Sequence, residues 1–190
     1  MEEAAKGLAL LTFAAITPGP NNALVLTQSA ANGIRSAIPL IAVIAFAAMT
    51  MAIATLGTAG LLLPPRAERW LSIGGGLLLF GMAVIAWRNA GSESVLPLSN
   101  PKGLAAVFAF QFLNPKGWLM MTLLAAHIPS GLGETVIVLL IVPLISGICL
   151  LLWALGGGAI SRSLSTPDRR IIFDRAMAAV LGLFAVLFII

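Results

Sequence analysis

One lysine stands where a charge is hardest to accommodate. Lys116 sits near the middle of an apolar run, directly after Asn114-Pro115, in a chain where only 9% of residues are charged. An ammonium at the centre of a bilayer costs ~3 kcal/mol on insertion scales, so it must face protein and find a partner. No acidic residue is expected inside any apolar run to supply one. The candidates are backbone carbonyls, polar side chains, an acid from a distant loop, or a bound anion such as a substrate carboxylate. Gln111 and Asn114 are close enough in sequence to share the same cavity. A structural role is the alternative, in which the ammonium caps carbonyls exposed by a break elsewhere.

Such a break exists. The first apolar run is interrupted by Thr17-Pro18-Gly19-Pro20-Asn21, followed by Asn22. Two prolines remove backbone donors and clash with the preceding turn, while glycine permits unusual dihedrals, so the helix must kink or unwind. The freed backbone groups cannot face lipid and must be buried in protein or line a wet cavity. Asn21 and Asn22 each offer donors and an acceptor, suited to a zwitterion or to the broken backbone itself. Pro18, Gly19, Pro20, Asn21 and Asn22 therefore join Gln111, Asn114, Pro115 and Lys116 as the candidate binding site.

The remaining reactive residues make a weaker case. His127, the single histidine, lies where the fourth run ends and could shuttle protons near neutral pH, but a loop position suits a solvated side chain equally. Cys149 has no second cysteine to pair with. Gly74-Gly75-Gly76 and Gly156-Gly157-Gly158 follow no strand, so they read as close helix packing rather than phosphate loops. Met49, Met51, Met120 and Met121 read as helix packing. No carboxylate pair, His/Cys cluster or nucleophile with a base marks an enzyme, and no cofactor or metal is expected.

The elements that must hold these residues are membrane helices. Of the 190 residues, 59% are hydrophobic, and six spans of ~20 residues leave room only for short loops. The apolar runs cover about 7–28, 34–63, 70–87, 103–126, 135–155 and 171–190, with a polar stretch at 88–102. The second is expected to fray after Gly57. Trp70 and Trp87 bracket the third run; a helix between them rises ~26 Å, so both indoles can sit at interfaces. The net charge of +4 is scattered through loops, without the basic stripe or aromatic platform of a nucleic-acid binder. The N-terminus lacks the basic start of a secretory signal, so the first run is expected to be retained.

The two halves resemble each other. Phe13-Ala14 and Pro20 align with Phe108-Ala109 and Pro115 at one offset, and Glu68-Arg69 and Gly76 with Asp174-Arg175 and Gly182 at another. Pro39 and Pro143 fall at similar places. The expectation is a single all-α transmembrane domain over 1–190, six helices in two inverted three-helix repeats (about 1–90 and 103–190), the first helix of each broken. Paired interrupted helices of this kind point to a transport site. Arg35, Arg88, Lys102, Arg162, Arg169, Arg170 and Arg175 fall on one side, and Lys6, Arg66 and Arg69 on the other. Basic residues favour the cytoplasm, which places both termini outside. The glycine-rich faces leave a homo-oligomer open.

Both interruptions, Thr17-Pro18-Gly19-Pro20-Asn21 and Asn114-Pro115-Lys116, resemble the signatures of the lysine-exporter (LysE/RhtB) family of amino-acid exporters. The similarity extends over nearly the whole chain in size, in the six runs, and in the order and spacing of the motifs. It implies a multi-pass protein of the bacterial cytoplasmic membrane that exports amino acids or related small metabolites by antiport, driven by the proton gradient. It carries the motif positions over to Pro18, Gly19, Pro20 and Asn21 and to Asn114, Pro115 and Lys116. A channel using the same breaks is the rival reading.

Overall fold

A computed structural model describes residues 2–57, 65–92, 98, 100–128, 131–164 and 166–189, and all regular structure among them is α-helical. Eight helices follow one another: α1 (Glu2–Ile16), α2 (Pro20–Asn32), α3 (Ile34–Gly57), α4 (Pro65–Arg88), α5 (Pro101–Leu113), α6 (Pro115–Ala125), α7 (Leu132–Ser161) and α8 (Pro167–Ile189). The two broken runs each become a helix pair, α1–α2 and α5–α6. Residues 58–63 of the second run, Pro64 and most of the stretch 93–99 lie outside the described residues.

Local chemistry sets the boundaries. Five helices begin at proline, whose fixed φ and missing N–H suit the first helical position. Asn100 caps α5 by accepting from the Gly103 amide at 2.8 Å. Asn114 caps α6 by accepting from the Lys116 amide at 3.1 Å. Gly33 ends α2 with φ +81°, a left-handed conformation that lets the chain turn directly into α3. Pro39 and Pro143 are carried inside α3 and α7.

Burial runs opposite to that of a water-soluble protein. Asn22, Thr27, Gln28, Ser29, Thr55, Gln111, Asn114, Ser146 and Asp174 are buried, while Phe13, Trp70, Leu77, Leu140, Leu144 and Ile172 are exposed. Polar groups can afford that placement only with partners inside, and the apolar exterior suits hydrocarbon. α3 and α7 are long and apolar enough to cross a membrane, and α1–α2, bent by 52°, makes a third span if counted as one. α4 offers a shorter apolar stretch from Ile73, and α5 is itself short. α8 carries Asp168, Arg169, Arg170, Asp174 and Arg175 in its first nine residues, which lowers its mean hydropathy.

α3 lies against α7; α1 and α2 pack on α7, and α5 and α6 on α3. α4 and α8 form a pair of their own. A Cβ at Gly76 would meet the Ala185 carbonyl at 2.8 Å, while Gly91, beyond the other end of α4, sits against Ile171. High numbers on α4 thus meet low numbers on α8, and the two run antiparallel. In the glycine triplets, Gly76, Gly157 and Gly158 lie at tight helix contacts, whereas Gly156 faces open space.

Candidate functional site

The breaks meet. Gly19 is the N-cap of α2 and Asn114 the N-cap of α6, the same positions under the repeat offset, with Pro20 and Pro115 following as first helical residues. Gly19 is extended (φ −167°), a conformation open to any residue, so space rather than backbone freedom calls for glycine here. A Cβ would lie 3.2 Å from the Lys116 Nζ.

Lys116 reaches across from the second break to the first. Its Nζ donates to the Thr17 carbonyl at 3.2 Å and to the Thr17 hydroxyl at 3.1 Å. Asn21, the second residue of α2 as Lys116 is of α6, reaches the opposite way. Its Nδ2 donates to Gln111 Oε1 at 2.7 Å, and Gln111 Nε2 donates back to Asn21 Oδ1 at 3.0 Å. Each half thus sends the second residue of its post-break helix to the end of the other's pre-break helix.

Carbonyls at the ends of α1 and α5 find partners at the breaks, as they must away from water, while the start of α2 has no side-chain cap. Asn22 Nδ2 donates to the Thr17 carbonyl at 3.0 Å and the Ala15 carbonyl at 3.2 Å. The Trp153 indole on α7 donates to the Ile16 carbonyl at 3.1 Å, and the Trp118 indole to the Phe112 carbonyl at 2.8 Å. The two indoles and Thr17 were not among the residues expected from sequence. Trp118 follows the second motif closely enough to have been suspected; Trp153 gives no such signal.

Between the breaks lies a cavity of about 70 Å³ lined by Gly19, Pro20, Asn21, Asn22, Gln111, Asn114 and Lys116 together with Ser146 of α7 and apolar residues of α1, α3, α6 and α7. At about 10–15 Å³ of such space per water, that holds several waters. Pro18 is exposed and Pro115 half-buried, and neither lines the cavity. His127 sits in the turn after α6, its Nδ1 2.8 Å from the Leu123 carbonyl, also away from the cavity.

The expectation that no apolar run holds a carboxylate needs correction. Asp174 lies in α8, inside the sixth run, and is 1% exposed. It accepts from the Gly91 amide at 2.9 Å. Nearby, Arg170 Nη2 donates to the Ala31 and Ser92 carbonyls, both at 3.2 Å, tying the ends of α2 and α4 to the start of α8. Among the described residues no cluster of His, Cys, Asp and Glu could hold a metal ion.

Replacing Pro18 and Pro20 together by alanine should lower transport per folded molecule more than it lowers the yield of folded protein. Restored N–H groups would favour a continuous helix, and a helix interior gains about 3 kcal/mol when proline leaves it. Straightening moves Thr17 away from Lys116. Transport assays on purified double variant check this; a wild-type rate would reduce the first break to a bend.

The family model described as LysE type translocator matches residues 12–190. Comparison with curated proteins and with solved structures gives no match.

Proposed function

Because this chain belongs to the LysE type translocator family, we propose that it is a secondary transporter exporting amino acids or related small metabolites from the cytoplasm, coupled to the proton gradient by antiport. Its architecture in this reading is six membrane passes in two inverted repeats, with the two breaks meeting near the midplane. Rocking of one repeat against the other alternates access to the cavity. The observation that carries the reading is the placement of the Lys116 ammonium, brought from the second break onto the first at the wall of a cavity whose lining, among the described residues, holds no acid. Two of its three donors are satisfied by Thr17. The third, and a readily exchanged hydroxyl contact, leave it able to take a substrate carboxylate.

The reciprocal contacts of Asn21 with Gln111 and of Lys116 with Thr17 support the inverted repeat, as does the antiparallel pairing of α4 with α8. In purified protein reconstituted into vesicles, substrate loaded inside should drive saturable counterflow of labelled substrate. A pore built from the same breaks would pass substrate without exchange, and that result would replace the carrier by a channel.

The orientation places the ends of α2 and α4 and the start of α8 in the cytoplasm, where Arg170 gathers them. Cysteines at Lys102 and Arg169, in a Cys149→Ala background, should escape an impermeant thiol reagent applied outside, while a cysteine at Pro65 should react. External labelling of both cytoplasmic positions would reverse the orientation.

A further inference from the structure

We infer that the site, used as proposed above, takes a carboxylate-bearing substrate whose side chain is uncharged and apolar, so that aliphatic and thioether amino acids are selected over basic and acidic ones. The inference rests on the transport reading but adds what the cavity's other walls are made of. The polar lining comes almost entirely from the two breaks. Opposite it stand Met51, Met120, Met121, Ile44, Ala48 and Leu150, from α3, α6 and α7. Among the described residues that line the cavity, Lys116 is the one charge. Every amino acid brings its own α-ammonium with its α-carboxylate, so the side chain decides the fit. A charged side chain of either sign would be buried against the methionines and aliphatic residues, which offer it neither a hydrogen bond nor a counter-charge, and a charge so placed is heavily penalised.

The methionines also let the cavity adapt to its occupant. Met51 and Met121 are buried, and Met120 is half-buried. Met51 Cε lies 3.0 Å from where a Cβ on Gly117 would stand, so its thioether closes over the segment that carries Lys116. Methionine is unbranched and adapts its three torsions at little cost. Withdrawal of Met51 and Met120 opens apolar space continuous with the ammonium, without exposing a polar group that needs a partner. The pocket so made fits a flexible or branched hydrocarbon chain.

The test is equilibrium binding to the purified full chain with leucine, methionine, lysine and glutamate as probes, repeated on Lys116→Met. Leucine and methionine should bind tighter than lysine and glutamate by about tenfold or more, the scale on which pocket complementarity discriminates. Lysine or glutamate binding as tightly as leucine, with that binding lost in Lys116→Met, would overturn the side-chain inference while leaving the transport reading intact. Failure of all four probes to bind, or binding indifferent to Lys116→Met, would overturn both. Met120→Ala, at a half-buried position where folding is little at risk, should raise the affinity for phenylalanine relative to leucine. An unchanged ratio would mean that the methionines do not form the side-chain wall.

Discussion

Lys116→Met is expected to weaken binding of a carboxylate-bearing substrate by about 2–5 kcal/mol, the range for removing one partner of a buried charge pair. The scaffold should suffer less than the ligand. Two bonds to Thr17 are lost, but the Thr17 carbonyl keeps its bond from Asn22 Nδ2 at 3.0 Å and the hydroxyl still donates to the Ala14 carbonyl at 2.8 Å. Neither is left unpaired, and removing the buried charge recovers its desolvation cost. The chain therefore folds, and affinity can be measured on monodisperse protein. Lys116→Arg is not a rescue. A guanidinium is a planar fork where the site is fitted to a compact ammonium, and the Gly19 backbone already stands close to Nζ. Binding to Lys116→Arg should fall as well, as the same titration will show.

The second large effect is structural and lies on α7. A Cβ at Gly157 would run into the Leu26 carbonyl and lie 3.1 Å from Ser29 Cβ and 3.2 Å from the Ala30 amide. Two of these three contacts are backbone atoms and cannot swing away, so α2 itself must move. Ser29 Oγ also donates to the Ala154 carbonyl at 2.6 Å, and separating the helices breaks that buried bond. Gly157→Ala should destabilise the protein by about 1–3 kcal/mol, the usual cost of overpacking a filled contact. Since α2 carries Asn21 and Asn22, transport should fall with stability. Gly156→Ala is the control. Nothing lies within 4 Å of its Cβ position, and alanine is the better helix former by up to about 1 kcal/mol. Thermal unfolding of detergent-solubilised variants should lower the midpoint for Gly157→Ala and leave it level or higher for Gly156→Ala.

Sequence carried the breaks and their correspondence, because proline and glycine act on the backbone locally and leave the same mark in both halves. Pro20 and Pro115 start equivalent helices, as their shared offset implies. That Lys116 could cap carbonyls freed by the first break was legible as an alternative; which groups it would meet was not. That Lys116 would meet Thr17, 99 positions earlier, depends on how two bent helix pairs cross, and hydrophobic periodicity is silent on that. Asn22 suited either a zwitterion or the broken backbone in sequence; its amide nitrogen serves the end of α1, and the residue also lines the cavity. Trp153 was hidden in a run that is apolar all round. Asp174 was overlooked for a different cause: neighbouring Arg170 and Arg175 make the start of the sixth run look like a solvated helix end, although the carboxylate turns inward to the Gly91 amide.

The central claim is that the Lys116 ammonium binds the substrate's carboxylate. It is tested most directly by titrating wild type and Lys116→Met with an amino acid and with its amide, four affinities that close a thermodynamic cycle. If the ammonium pairs with the carboxylate, the acid loses about 2–5 kcal/mol in the variant while the amide's affinity barely changes. Equal losses for acid and amide would contradict the account and leave Lys116 as a brace between two broken helices.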